Sequence, residues 1–308
     1  MTTEVVVYIS SVANAHKFPR KTACLENFAQ GVKTVGATVL VEKNFKYTPS
    51  RLAVILGWAT TNTGGRNIQL RKQIIAEQQQ RGYKTMCIDA SCFKYLDDVG
   101  TYLRYSLGGP FYDKAEYANH NSTPDQWNEI RQHLKIDIKP TEKRDGHILL
   151  GMQRDGGFAM KSIDPMAWAR QKIVEIRKYT NREIVIRPHP GKFDMQEFAE
   201  FQTTAYARSN VRVIHPEKSK LIDNIRSASS AVFFNSSASV AAVLEGVPVF
   251  VDDPSAVTWH VANHSVSDIE SPKIFDGTQW IYDLAAAHWS DSQSRKGSIY
   301  EKFLPYIS

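Results

Sequence analysis

The sequence predicts an α/β protein built as two domains, and three observations predict it. Apolar runs of about four to six residues recur along the chain, each the length of a buried strand. Between them lie polar stretches in which apolar residues return at helical spacing. The chain of 308 residues is long enough for two domains of about 150 residues, each burying its own core. With 42% hydrophobic and 23% charged residues, its composition is that of an ordinary globular protein.

The first buried strand, Val5–Ile9, follows directly on Met1-Thr-Thr-Glu4, so no signal peptide is expected. No apolar run approaches the roughly 18 residues of a membrane span, and the expected compartment is the cytoplasm. Cys24, Cys87 and Cys92 are odd in number and lack Cys-x-x-Cys spacing. They imply neither a disulfide framework nor a zinc site. After the first strand comes a loop carrying His16, Lys17, Arg20 and Lys21, at the strand end where α/β folds place their ligands. Leu25, Phe28, Val32 and Val35 then mark a helix that stops at Gly36, and Ala37–Val41 completes a βαβ opening. A third strand, Ala53–Gly57, runs into the polar loop Thr60–Arg66. This loop is either a phosphate contact or a simple connection, and it fits no Walker or Rossmann fingerprint. A Gln-rich helix, Ile68–Gln80, follows.

The fourth strand, Lys84–Asp89, ends in a carboxylate. An acid there is placed to take a proton from an attacking hydroxyl, or it is a hydrogen-bonded cap. An aromatic segment containing Arg104 runs from Thr101 to Tyr112, and a helix is expected around Asp125–Leu134. Residues 135–145 are charged and read as a linker, which sets the domains at 1–145 and 146–308.

The second domain opens with the strand His147–Met152 and a loop holding Gln153, Arg154, Gly156, Gly157 and Lys161. Its glycines permit close backbone approach, and Arg154 and Lys161 add positive charge. Asp164-Pro165 signals a helix start. The strand from Glu183 then delivers Arg187-Pro188-His189-Pro190-Gly191-Lys192, in which two prolines stiffen the loop around the imidazole. The strand Ala231–Phe234 delivers Asn235, Ser236 and Ser237 to the start of an apolar helix ending at Leu244-Glu245-Gly246. Hydroxyls and unpaired N–H groups at a helix start can hold a phosphate. Opposite them, Arg187, His189 and Lys192 supply cations.

This pairing of motifs resembles the nucleotide-sugar half of GT-B glycosyltransferases, most closely the capsule-polysaccharide, Kdo-type transferases. Their second domain carries a strand-His-Pro motif followed by a strand-Ser-Ser-helix motif, matched here over residues 147–260. The resemblance implies the GT-B α/β fold, two Rossmann-like domains facing a cleft, with a terminal helix crossing back to the first domain. It implies that His189 contacts the donor phosphate, that the Gln153 loop lies at the donor, and that Asp89 is the acid in the cleft. Many GT-B enzymes hold the nucleotide ribose with a Glu that is Ala241 here, and Glu245, one turn on, points elsewhere on the helix. The implied mechanism is group transfer without a metal or any cofactor beyond a UDP-linked donor, the cations and hydroxyls neutralising the leaving group.

Charge bears on the acceptor. Residues 1–145 hold 20 Lys and Arg against 14 Asp and Glu, while the remainder is balanced at 18 against 18. A basic half beside a neutral half suits a polyanionic partner, or is a chance asymmetry of a soluble surface. Compact length, the lack of a membrane anchor and the basic first half resemble phage enzymes that glycosylate hydroxymethylated pyrimidines, such as hydroxymethylcytosine, in DNA. That resemblance implies double-stranded DNA as partner, with His16, Lys17, Arg20, Lys21 and Arg104 on its phosphates. The base leaves the helical stack to meet Asp89, and the sugar is a pentose such as arabinose, or glucose. Two alternatives stand beside it. One is a surface-polysaccharide transferase of the Kdo type, matched by the second-domain motifs. The other is a non-catalytic nucleotide-sugar- or DNA-binding module, suggested by Ala241.

Overall fold

The structure, a computed structural model, describes residues 3–12, 19–58, 65–97, 99–154, 158–191, 195–203, 206 and 209–307. In chain order the first elements are β1 (Thr3–Tyr8), α1 (Pro19–Thr34), β2 (Val39–Glu42), β3 (Ser50–Leu56) and α2 (Arg66–Gln80). They are followed by β4 (Lys84–Ala90), β5 (Tyr102–Leu107) and α3 (Asp125–Leu134). Next come β6 (His147–Gly151), α4 (Pro165–Arg177), β7 (Ile184–Arg187), β8 (Val211–Val213) and α5 (Leu221–Arg226). Then β9 (Ala228–Phe233), α6 (Ala238–Leu244) and β10 (Val249–Val251) lead to α7 (Thr278–Ala286), β11 (His288–Ser290), α8 (Asp291–Lys296) and α9 (Ser298–Ile307). The chain divides into two compact units, residues 1–127 with 282–308, and residues 128–281.

The first unit is built on a six-stranded sheet in the order β11-β5-β4-β3-β1-β2. Strands β1 to β4 are parallel, whereas β5 runs antiparallel to β4 and β11 antiparallel to β5. Its central strands are covered on both faces, which is why Val5-Val6-Val7 and Leu52–Ile55 read as unbroken apolar runs. Leu25, Phe28 and Val32 place one stripe of α1 on the sheet, and Gly36 ends that helical segment with φ of +81°. The carboxy-terminal helix α9 belongs to the same core: Tyr300 meets Phe28 edge-on, ring centroids 6.5 Å apart. Two strands of this sheet depart from the sequence reading. Thr101–Tyr112, expected only as an aromatic segment, contains β5. Trp280–Trp289, where no strand is expected, is helical as far as Ala286 and then enters the sheet as β11. A three-residue strand is too short to show any periodicity.

The second unit holds a five-stranded, all-parallel sheet in the order β10-β9-β6-β7-β8. Chain order reverses between β6 and β9, making their carboxyl ends the switch point where open α/β sheets bind ligands. Strands β6 and β7 present Ile148, Leu150, Ile184 and Ile186 to a core shared with Ile173 and Ile176 of α4. That helix begins as its sequence predicts, with Asp164 accepting the Met166 N–H at 2.8 Å and Pro165 in the first turn. Among the described residues no helix is long and apolar enough to cross a membrane.

Candidate active site

At the switch point of the second sheet, Gly151 of β6 lies level with Phe233 of β9. A Cβ on Gly151 would run into the Phe233 ring, so only glycine lets β6 pass this close. Just beyond, the Gln153 side-chain amide donates to Asn235 Oδ1 at 2.8 Å, and the Asn235 backbone N–H donates to Gln153 Oε1 at 3.2 Å. The Asn235 amide nitrogen in turn donates to the Ala159 carbonyl and to Ser255 Oγ, both at 2.8 Å. Asn235 thus ties the ends of β6 and β9 to the segment after β10. From β7, on the other side of β6, comes His189. Its Nδ1 accepts the Gly191 N–H at 3.0 Å, so the neutral ring carries its proton on Nε2, a donor for an anion. Arg154 is exposed beside this loop, its Cδ 3.8 Å from where a Gly191 Cβ would stand. The structure therefore brings Gln153, Arg154, His189 and Asn235 to one edge of one sheet.

Other residues expected to present charge there are engaged inside the unit. Arg187 is 8% exposed. Its guanidinium donates to Ser219 Oγ at 3.1 Å, to the Pro216 and Ser219 carbonyls at 2.9 and 3.0 Å, and to Asn224 Oδ1. It is a clamp on the loop after β8, a task that suits a planar fork of donors. Lys161 donates to both oxygens of Asp253, at 2.9 and 2.8 Å. Burial works against ionisation of Asp253, but Lys161 and the Ser255 hydroxyl and amide outweigh it and hold the carboxyl below its usual range. Ser236 and Ser237 stand half-buried at the start of α6. The Ala238 N–H donates to Ser236 Oγ at 3.3 Å and the Ser239 N–H to the Ser236 carbonyl at 3.0 Å. Two amides of this first turn, expected to be unpaired, are used within the helix. Nothing in sequence pointed to Ser255, Ser219 or Asn224, because their roles arise only when loops after different strands meet.

In the first unit, Asp89 near the end of β4 stands opposite Arg104 of β5. The Arg104 guanidinium donates to Asp89 Oδ2 at 2.9 Å, with 11% of the Arg104 side chain exposed against 33% of Asp89. Arg104, expected to face acceptor phosphate, is therefore an internal partner of the carboxylate. Burial opposes its charge, and the neighbouring Tyr117, Cys92 and Asp89 outweigh that opposition, so its pKa is raised. The register depends on buried Asp97, whose carboxylate accepts the N–H groups of Val99, Gly100, Thr101 and Tyr102 at 2.7 to 3.3 Å and shapes the turn into β5. Lys21 is exposed in the first turn of α1. His16, Lys17 and Lys192, and the Arg20 side chain, lie outside the described residues.

Ala241 is buried within α6. Glu245 lies beyond its last turn and accepts from Lys139 and from Arg226, the latter at 2.8 Å. A cavity of about 240 Å³ lies at the opposite, amino-terminal end of β10, lined by Val247, Pro248, Val249, Lys139, Lys273 and Phe275 among others. None of Gln153, Arg154, His189 or Asn235 lines it. Among the described residues no group of three or more His, Cys, Asp or Glu could hold a metal ion.

No protein-family model matches the sequence, and no curated protein matches it. Two solved structures are similar over nearly the whole chain. One is the KpsC beta Kdo 2,4 transferase of Thermosulfurimonas dismutans, with a TM-score of 0.55 and 14% identity, covering 93% of this chain and 90% of that one. The other is the KpsC beta Kdo 2,7 transferase of the same organism, with a TM-score of 0.52 and 11% identity, covering 97% and 99%. At these identities the likeness is one of fold. The fold is the α/β GT-B fold with two Rossmann-like domains, shared with these two transferases.

Proposed function

We propose that this chain is a metal-independent glycosyltransferase that moves a sugar, a pentose such as arabinose or a glucose, from a UDP-linked donor to the hydroxymethyl group of a modified pyrimidine in DNA. The observation that carries the reading is the convergence of Gln153, His189 and Asn235 on the carboxyl edge of a parallel sheet at its switch point. In this reading the Nε2–H of His189 and the Arg154 guanidinium face the donor diphosphate, with the Ser236 and Ser237 hydroxyls beside them. As the bond between the anomeric carbon and the phosphate oxygen breaks, the electron pair stays with that oxygen, and fixed donors lower the barrier by stabilising its charge. Asp89 takes the proton of the acceptor hydroxyl as its oxygen attacks the anomeric carbon. Arg104 aims the carboxylate, while Arg187 and Lys161 hold the loops around the donor.

What supports a DNA acceptor is that the whole excess of positive charge falls in residues 1–145. Lys21, with His16, Lys17 and Arg20, is assigned to the phosphates, and the expected setting is the cytoplasm of a phage-infected cell. A second reading, transfer of a Kdo-like sugar to a surface polysaccharide, is supported by the two Kdo transferases that share the fold along the whole chain. The test is mass spectrometry of nucleosides digested from hydroxymethylcytosine DNA after incubation with the protein and UDP-pentoses, UDP-hexoses or a CMP-sugar. A pentose or hexose mass on the modified base is the expected result. No added mass, with donor binding measured separately, moves the assignment to the polysaccharide acceptor; donor binding without hydrolysis or transfer to either acceptor marks a non-catalytic module.

A further inference from the structure

Strand register lines up three polar residues across the edge of the first sheet. Asp89 on β4 is opposite Arg104 on β5, and Arg104 is opposite His288 on β11. Directly opposed residues of antiparallel strands share a face, so Asp89, Arg104 and His288 form one row on one side of the sheet. His288 is fully buried. Its Nδ1 lies 2.7 Å from the Leu284 carbonyl oxygen, which can only accept, so Nδ1 carries the proton. Nε2 is then an acceptor, and the Cys92 backbone N–H donates to it at 3.0 Å. Phe93 meets the ring at a centroid distance of 4.8 Å and fixes its tilt. Arg104 grips the same short segment, reaching Asp89 Oδ2 at 2.9 Å and Cys92 Sγ at 3.6 Å. The segment 89–92 is thus held by Arg104 at the carboxylate and by His288 at the turn that follows.

We propose that His288 is a positioning residue for the transfer: by accepting the Cys92 amide it fixes the turn after β4 and, through it, the direction of the Asp89 carboxylate. This rests on Asp89 being the base, as argued above. A histidine that only fills core space would be replaceable by an aromatic ring at a cost in stability alone. A histidine whose Nε2 lone pair sets the turn is not. Without that acceptor the buried Cys92 N–H has no partner, and relieving it moves the turn that follows the base. A displacement of about 1 Å at a reacting group costs on the order of a hundredfold in rate. Burial keeps the ring neutral, with its pKa lowered to about 3, so the acceptor persists through the neutral pH range.

The test compares the full wild-type chain with His288→Phe and His288→Gln, using hydroxymethylcytosine DNA and whichever UDP-sugar the wild type transfers. Phenylalanine keeps the ring and loses both hydrogen bonds; glutamine restores an oxygen acceptor. The expected result is a folded His288→Phe protein with kcat down about a hundredfold and an unchanged donor KM, and recovery of most of that loss in His288→Gln. A long-range ¹⁵N–¹H spectrum of the wild type reads the tautomer without any variant, with the proton expected on Nδ1. A proton on Nε2, wild-type kcat in His288→Phe, or equal losses in both variants would overturn the proposal. If the wild type transfers no sugar, the Asp89 reading and this inference fall together; if it transfers and His288→Phe matches it, this inference alone falls.

Discussion

Gln153 and Asn235 close a two-bond ring across the switch point of the second sheet, with side-chain and backbone contacts of 2.8 and 3.2 Å. Because the Asn235 amide nitrogen also reaches the Ala159 carbonyl and Ser255 Oγ, one side chain joins the segments after β6, β9 and β10. The edge that would receive the donor is therefore fixed by polar groups, and apolar packing alone would not define it.

Replacing Asn235 by Ala is expected to destabilise the protein by about 1–3 kcal/mol, because the Gln153 amide and the Ala159 carbonyl lose partners at a half-buried site. Urea unfolding measures this. Donor affinity should fall further than the stability loss explains, since three loops lose their common anchor. A variant that binds UDP as well as the wild type would detach this hub from the donor.

His189→Ala removes the Nε2–H donor assigned to the diphosphate. A hydrogen bond to a charged group contributes about 1.5–3 kcal/mol, so UDP affinity by calorimetry should weaken roughly 10- to 150-fold, with turnover reduced as well. The fold should survive, because the ring's bond to the Gly191 amide is local to its own loop. Unchanged affinity and kinetics would take His189 out of the site.

Asp89→Asn keeps the size of the group and removes its basicity. Turnover is expected to drop by about 10²–10⁴-fold, the usual contribution of a general base, while donor binding stays at the wild-type level. Arg104→Lys should have a smaller effect in the same direction, since a point charge cannot reproduce the fork that meets both Asp89 and Cys92. An active Asp89→Asn enzyme would end the assignment.

What the sequence disclosed and what it hid divide along physical lines. Runs such as His147–Met152 and Ile184–Arg187 were legible because strands buried on both faces must be apolar throughout. The place of Asn235 and His189 was legible because polar residues directly after such strands stand at the carboxyl edge of the sheet. Arg187 was legible as a cation, but its partners lie about 30 residues on, Pro216 and Ser219 in the loop after β8 and Asn224 in the short helix α5, with no local signal for the contact. The Asp89–Arg104 pair depends on a turn shaped by Asp97 collecting four amides, a conformation that composition does not reveal. His288 enters on a strand of three residues, and its place beside Arg104 comes wholly from register.

Stability should decline on acidification in two overlapping windows that begin at different pH. Burial lowers the pKa of His288 from 6.5 to about 3, so the unfolded chain binds the extra proton and folding loses stability as pH falls through that interval. The slope from this one group is at most about 1.4 kcal/mol per pH unit. Glu245 adds a second window: burial opposes its ionisation, but Arg226 and Lys139 hold its carboxyl below the ordinary 4.5. Its contribution is complete above that value and is lost as pH falls below it. Denaturant midpoints measured from pH 8 to pH 3 should fall less steeply than in the wild type between pH 6.5 and 4.5 in His288→Gln, and less steeply only below 4.5 in Glu245→Gln. A wild-type curve level from pH 6.5 to 4.5 would contradict a buried neutral His288.

Gly31 marks the place where α1 and α8 come closest, for a Cβ there would run into the Ser294 carbonyl oxygen. Gly297, with φ of +90°, closes the same approach from the other side, and Arg295 donates to Asn27 at 2.6 Å across it. Gly31→Ala is therefore an overpacking substitution in a contact with no flexible side chain to yield. It should destabilise by about 1–3 kcal/mol in urea unfolding. Since α8 follows directly on β11, pushing it off α1 should also disturb His288, so limited proteolysis after Ala286 should accelerate and turnover should fall more than donor affinity. If Gly31→Ala is as stable as the wild type, the carboxy-terminal segment does not pack against α1 as closely as this, and the fixed row of Asp89, Arg104 and His288 loses its support.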